Sequence, residues 1–276
     1  MSLFIIHIMY KDNFKKNNFK RGGARGGNNN AGKEPGNKMI FGIRAIIETI
    51  EAGHEIDKIL LKKDMQSELS QELFAAVKGR NIPVVRVPVE KIDRITNKNH
   101  QGAIAFISPV AYERITHLIP QLYEEAKCPF IVVLDGVTDV RNFGAIARTC
   151  ECAGVDAIMI PQLGSASINA DAIKTSAGAL LSLPVCREHN LAAMVNYLKE
   201  CGLRVFAASE KATQTYTEAD YSGPIAIVMG SEDVGISPEI LELCDEHVSI
   251  PINGNISSLN VSVAAGILIY EAVKNR

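Results

Sequence analysis

The chain has 276 residues, 47% of them hydrophobic and 22% charged, with a formal net charge of −2. This is a globular balance with room for two domains and a sizeable core, and no apolar run approaches the roughly 18 to 20 residues of a membrane span. The six cysteines include no CxxC and the six histidines form no pair at metal-ligand spacing, so no structural or catalytic zinc is expected.

The net charge hides an asymmetry. Residues 11–38 carry eight lysines and arginines against Asp12 and Glu34, a net of +6 that leaves −8 for the remainder. The first nine residues, MSLFIIHIM, are apolar but too short to span a membrane and lack a small-residue cleavage site, so they read as leader. The stretch from Lys11 to Lys38 is rich in Gly, Asn, Lys and Arg, with Phe14 and Phe19 interleaved. Such a composition cannot bury enough surface to fold, so residues 1–38 are expected to form a disordered basic leader. Its charge and aromatics suit contact with RNA; the plainer reading is a tail that keeps the chain soluble.

From Met39 the pattern becomes αβ-like. Ile43, Ala45, Ile46, Ile47 and Ile50 give one helical face, Lys58 to Leu61 a short strand, Glu68 to Lys78 a second helix and Val84 to Val87 a second strand. A short helix over Ile92 to Thr96 and a turn at Asn99 to Gly102 lead into a strand from Ala103 to Ile107. Residues 39–108 therefore form a compact module, in which His100, at a turn before a strand, reads as structural. Residues 109–129 are a linker with one amphipathic helix (Ile115, Leu118, Ile119, Leu122).

The second domain, residues 130–276, opens on the apolar strand Phe130 to Leu134, followed by a helix from Ala145 to Ala153. Strands at Ala157 to Ile160, Arg204 to Ala208, Ile225 to Met229 and Val248 to Ile250 are mostly apolar and alternate with helices, one of them over Ala172 to Leu180. This implies a parallel sheet covered on both faces. Sites in such sheets lie beyond the carboxyl ends of the strands. Three loops qualify, Asp135 to Gly144, Gly230 to Gly235 and Ile250 to Asn260, each with glycine and short polar side chains. The second ends on a helix start, Ser237 before Pro238. The third leads into a helix of small residues, Ser262, Ala264, Ala265 and Gly266, with a serine N-cap as the simple alternative to a ligand loop.

No G-x-G-x-x-G follows a strand, no P-loop is present, and Ser258 lies in no G-x-S-x-G elbow, so dinucleotide, nucleotide-triphosphate and serine-hydrolase chemistry lack support. Buried reduced thiols and the lack of an export signal point to the cytoplasm.

Asn142-x-Gly144-Ala145-Ile146-x-Arg148-Thr149, Gly230-x-Glu232-x-x-Gly235, and Ile250-Pro251 with Gly254 and Ser258-Leu259-Asn260-Val261-Ser262-Val263-Ala264 resemble the three ordered motifs of the SpoU (TrmH-type) RNA ribose 2′-O-methyltransferases. The likeness covers residues 130–276. Residues 39–108, with Phe41-Gly42 and His100-Gln101-Gly102, resemble the L30e-like RNA-binding domain of the subgroup that modifies a guanosine of 23S ribosomal RNA. The basic leader is no part of that pattern.

The resemblance implies an α/β fold with a C-terminal α/β knot (a deep trefoil), a homodimer, and S-adenosylmethionine (SAM) as methyl donor. It places Gly230, Ile250 and Leu259 at the donor, and Asn142, Arg148, Glu232, Ser258 and Asn260 at the reacting ribose. A guanidinium keeps its proton in proteins, so Arg148 suits a clamp on the target phosphate better than a base. Glu232 would fix the arginine or the loop. A tRNA substrate and a non-catalytic RNA-binding assembly factor are the alternatives.

Overall fold

A computed structural model describes residues 38–276, so the leader expected to be disordered lies outside the described residues. The smaller sheet contains β1 (Met39–Phe41), β2 (Ile56–Lys62), β3 (Val84–Val87) and β4 (Ala103–Ile107), in the order β1-β4-β2-β3. Its helices α1 (Ile43–Glu51) and α2 (Glu68–Val77) pack on one face. Helix α1 buries Ile43, Ile46 and Ile50, a stripe at helical spacing, and α2 starts at a reciprocal Ser67–Ser70 capping box. Beneath them lie Ile59 and Leu61 of β2, both fully buried. Among the described residues the other face packs against the five-residue helix α3 (Val89–Asp93), through Ile92. His100 holds the turn into β4: one ring nitrogen lies 2.8 Å from the Asp93 carboxylate and the other accepts the Gly102 N–H at 3.0 Å.

The larger sheet contains β5 (Tyr112–Glu113), β6 (Phe130–Asp135), β7 (Ala157–Pro161), β8 (Val185–Glu188), β9 (Arg204–Ala208), β10 (Gln214–Thr215), β11 (Ile225–Gly230) and β12 (Glu246–Ser249). Its order is β10-β12-β9-β11-β6-β7-β8-β5 and every pairing is parallel. Alternate residues of β6 feed opposite cores: Phe130, Val132 and Leu134 pack with α5 (Val140–Ala153) and α9 (Val261–Lys274). Ile131 and Val133 pack with α4 (Ile115–Glu124), α7 (Leu191–Glu200) and α8 (Pro238–Leu243). Burial on both faces is why these strands read as unbroken apolar runs.

Several expectations shift. Helix α5 begins five residues before Ala145, because the Asp139 carboxylate accepts the N–H groups of Arg141 and Asn142, both at 2.8 Å. The helix expected over Ala172 to Leu180 is α6 (Ala170–Thr175) and a separate 3-10 turn (Ala179–Leu181), divided where Ala177 and Gly178 take positive φ. Strands β1 and β8 and helix α7 were not legible in the sequence. The segment expected as a linker builds β5 and α4 onto the larger sheet. Of the cysteines expected to be buried, Cys150, Cys186 and Cys244 are, whereas Cys128 and Cys152 are exposed; all six are free.

The two sheets are joined through Arg187 of β8, which is 3% exposed. Its guanidinium donates to the carbonyl oxygens of Asp57 at 2.8 Å, Ile56 at 3.1 Å and Asn81, all in the smaller unit. It also stacks 3.6 Å from the centre of the Tyr112 ring, whose hydroxyl donates to the Asp57 carboxylate at 2.9 Å. The neighbouring Glu188 accepts the Ile115 N–H at 2.8 Å. Among the described residues no helix is long and apolar enough to cross a membrane.

Candidate active site

Strands β6 and β11 are paired in register to their last residues, Asp135 beside Gly230, so the loops that follow start side by side. The Asp135 carboxylate then accepts the Ser237 N–H at 2.7 Å, tying the far end of the second loop to the first strand. Within that loop Ser231 and Gly235 exchange backbone hydrogen bonds of 3.1 and 2.9 Å, folding residues 231–235 back over the strand end. Gly230 is required there: a Cβ would lie 2.1 Å from the Gly235 carbonyl carbon and the Ile236 nitrogen.

The third loop runs from the end of β12 to α9, whose N-cap is Asn260 rather than a serine. Its side-chain oxygen accepts the Ser262 N–H at 3.0 Å, and its amide nitrogen donates to Glu232 at 2.7 Å and to Asn142 at 3.0 Å. Asn142 in turn donates to the same Glu232 oxygen, Oε1, at 2.8 Å. One residue from each loop thus closes a triangle, and two amides held on one carboxylate oxygen are charge-assisted bonds. The second oxygen, Oε2, has no hydrogen-bond partner among the described residues and is free to accept from an incoming donor.

Beside the triangle lies a cavity of about 400 Å³. Gly230, Ile250 and Leu259, the residues matched to the donor, all line it, as do Glu232 and Ser258. Asn142 and Asn260 reach it through Glu232. Arg148 stands apart: it is exposed on α5, roughly 120° around the helix from Asn142 by helical geometry, with no hydrogen bond or ion pair among the described residues. Glu232 is held by the two asparagines, with no hydrogen bond or ion pair to Arg148 among the described residues. A fourth loop, Ser209 to Lys211 after β9, completes the wall. The available signal was its place after an aliphatic strand, the criterion that picked out the other three. Among the described residues no group of three or more His, Cys, Asp or Glu is placed to hold a metal ion.

Residues 129–270 match the SpoU rRNA Methylase family, and residues 39–113 match the family described as RNA 2′-O ribose methyltransferase substrate binding. The chain belongs to the SpoU methylase family. A Staphylococcus saprophyticus protein named as a TrmH family tRNA/rRNA methyltransferase is 35% identical to this SpoU chain over 238 residues, 86% of this chain and 96% of its own. The crystal structure of an RNA 2′-O ribose methyltransferase aligns with a TM-score of 0.51 at 25% identity, covering 87% of this chain and 89% of that one. The SpoU methyltransferase AviRb of Streptomyces viridochromogenes, solved with AdoMet, aligns with a TM-score of 0.54 at 24% identity over 90% of this chain and 93% of its own. This SpoU chain is accordingly an RNA 2′-O ribose methyltransferase.

Proposed function

We propose that this SpoU enzyme methylates the ribose 2′-hydroxyl of a guanosine in 23S ribosomal RNA, using S-adenosylmethionine, as a cytoplasmic homodimer whose C-terminal stretch threads an α/β knot. The observation that carries the reading is the meeting of the three motif loops in one Asn142–Glu232–Asn260 triangle at the edge of a cavity. The cavity fits the donor: Ile250 and Leu259 offer apolar walls for a flat base beside polar Ser209 and Ser258. When bound, the donor supplies an electrophilic methyl group.

The remaining work falls to this chain's residues. Asn142 and Asn260 hold Glu232 by one oxygen and leave the other to orient the 2′-hydroxyl. Ser258, which lines the cavity, holds the ribose, Asn260 acts through Glu232, and Arg148 clamps the adjacent phosphate. Arg148 is exposed and does not line the cavity of its own chain, so in this reading it acts on substrate held by the second copy. Support for a dimer lies in the exposed stripe of α9, Val263 and Tyr270, each 52% exposed, on either side of Gly266 where α9 passes Thr149 of α5. The match of residues 39–113 to a substrate-binding family supports an L30e-like RNA-binding module at residues 39–108.

Incubation with ribosomal RNA, transfer RNA and labelled SAM tests the reading. Label is expected in one 2′-O-methylguanosine of 23S RNA, and label in transfer RNA alone would establish the alternative substrate. Arg148→Ala should lose methylation about 100-fold while keeping RNA and SAM affinity. Mixing Arg148→Ala with Glu232→Gln protomers should restore part of the activity, and no restoration would refute action across the dimer.

A further inference from the structure

Among the described residues, one face of the smaller sheet is covered by two long helices and the other, more open, by the short α3. Side chains directly opposite each other in a sheet share a face. The registers Lys58–Phe106, Leu60–Ile104, Met39–Phe106 and Phe41–Ile104 therefore set Met39, Phe41, Lys58, Leu60, Ile104 and Phe106 together. The covered face is built from aliphatic residues, and both phenylalanines of the sheet lie on the open one. There Ile92 of α3 packs with Leu60, Val87 and Ile104, and among the described residues Met39, Phe41 and Phe106 stay half-buried at the margin of that cluster.

Each ring has a lysine above it. The Lys98 ammonium lies 5.2 Å from the centre of Phe41, and that of Lys58 lies 5.3 Å from the centre of Phe106. Neither lysine pairs with a carboxylate among the described residues. The face also adjoins the catalytic loops. Lys58 donates to Ser167 at 2.7 Å in the loop after β7, and Ala166 of that loop donates to the Val137 carbonyl at 2.9 Å. Two residues beyond Val137, Asp139 caps the helix that presents Asn142.

We propose that this open sheet face is a stacking platform for unpaired bases of the RNA substrate, with Phe41 and Phe106 taking the bases and Lys58 and Lys98 the flanking phosphates. Bases in a duplex have their faces buried against one another, whereas unpaired bases offer them to aromatic rings. The platform rests on the reading of the chain as an RNA methyltransferase and gives that enzyme a means of choosing a loop next to the reactive ribose. Base-to-ring stacking contributes enough that losing one ring should weaken binding about tenfold.

The test uses the full chain with Phe41→Leu and Phe106→Leu, which keep apolar packing but lose the ring, and Phe41→Tyr and Phe106→Tyr, which keep it. Fluorescence anisotropy at fixed salt would follow a mixed-sequence RNA oligonucleotide, single-stranded and as a duplex. The leucine variants should bind the single strand about tenfold more weakly and the duplex within twofold of the parent, while the tyrosine variants match the parent. SAM affinity should not move. Leucine variants that match the parent on the single strand, or lose both RNAs equally, would overturn the platform while leaving methylation by the parent intact. A parent that binds unpaired RNA through these rings but transfers no methyl group would overturn the catalytic reading alone.

Discussion

Two polar clusters organise this protein, and they use similar groups to opposite ends. At the carboxyl ends of the central strands, Asn142, Glu232 and Asn260 hold one another at the surface, with a carboxylate oxygen left over. On β8, Arg187, Tyr112 and Asp57 hold one another between the two sheets, where Arg187 is almost fully buried. Burial decides the difference. The two terminal nitrogens of the buried Arg187 are spent on carbonyls beside the smaller sheet, so the second cluster is committed to holding the two sheets together. An exposed one can exchange water for substrate, so the first remains available for chemistry.

Exchanging the roles of the two clusters by mutation gives the sharpest test. Arg187→Ala should have the largest effect on folding, because it leaves the carbonyls of Ile56, Asp57 and Asn81 without their donor. A loss of about 3 kcal/mol in urea denaturation is expected, with SAM affinity unchanged. A loss below about 1 kcal/mol would mean that the junction is not what fixes the two units. Glu232→Gln should do the reverse. Methyl transfer should fall about 100-fold, and stability should stay within about 0.5 kcal/mol, as for most exposed positions.

Tyr112→Phe should have the smallest effect, about 1 kcal/mol at neutral pH from the lost bond to Asp57. Its signature is in the pH dependence. Burial first, and then the Asp57 charge, push the Tyr112 hydroxyl well above the ordinary tyrosine range. A group whose folded-state value is raised lends stability that is complete below its unfolded value, near pH ~10, and lost as pH climbs beyond it. The parent should therefore lose stability on the alkaline side more steeply than Tyr112→Phe. Parallel denaturation curves between pH 8 and 11 would show instead that Tyr112 is not the group responsible.

Much of the site was legible because strand, loop and helix follow from local pattern. Aliphatic runs placed β6, β9 and β11, and the loops after them drew attention through glycine and short polar residues. The Arg187 junction was not legible. Its strand, Val185–Glu188, is two apolar residues followed by two charged ones, a pattern that gives no reason to expect burial. Nor was the start of α5, where one carboxylate, that of Asp139, outweighs the weaker periodicity of the first turn. Helix α6 stops early because Ala177 takes a conformation that an alanine-rich pattern does not announce.

Amino-acid order alone settles which residues are chemically equipped: the glycine that must lack a Cβ, the asparagines and glutamate at loop positions, the basic residues, and the periodicities that build each element. Which of these meet is set by the folded arrangement. The contacts of Asn142 with Glu232 and Asn260 span 90 and 118 residues, and Arg187 reaches 130 residues back to Asp57. Such pairings depend on strand order and register, which the packing of both sheet faces selects and no local stretch encodes.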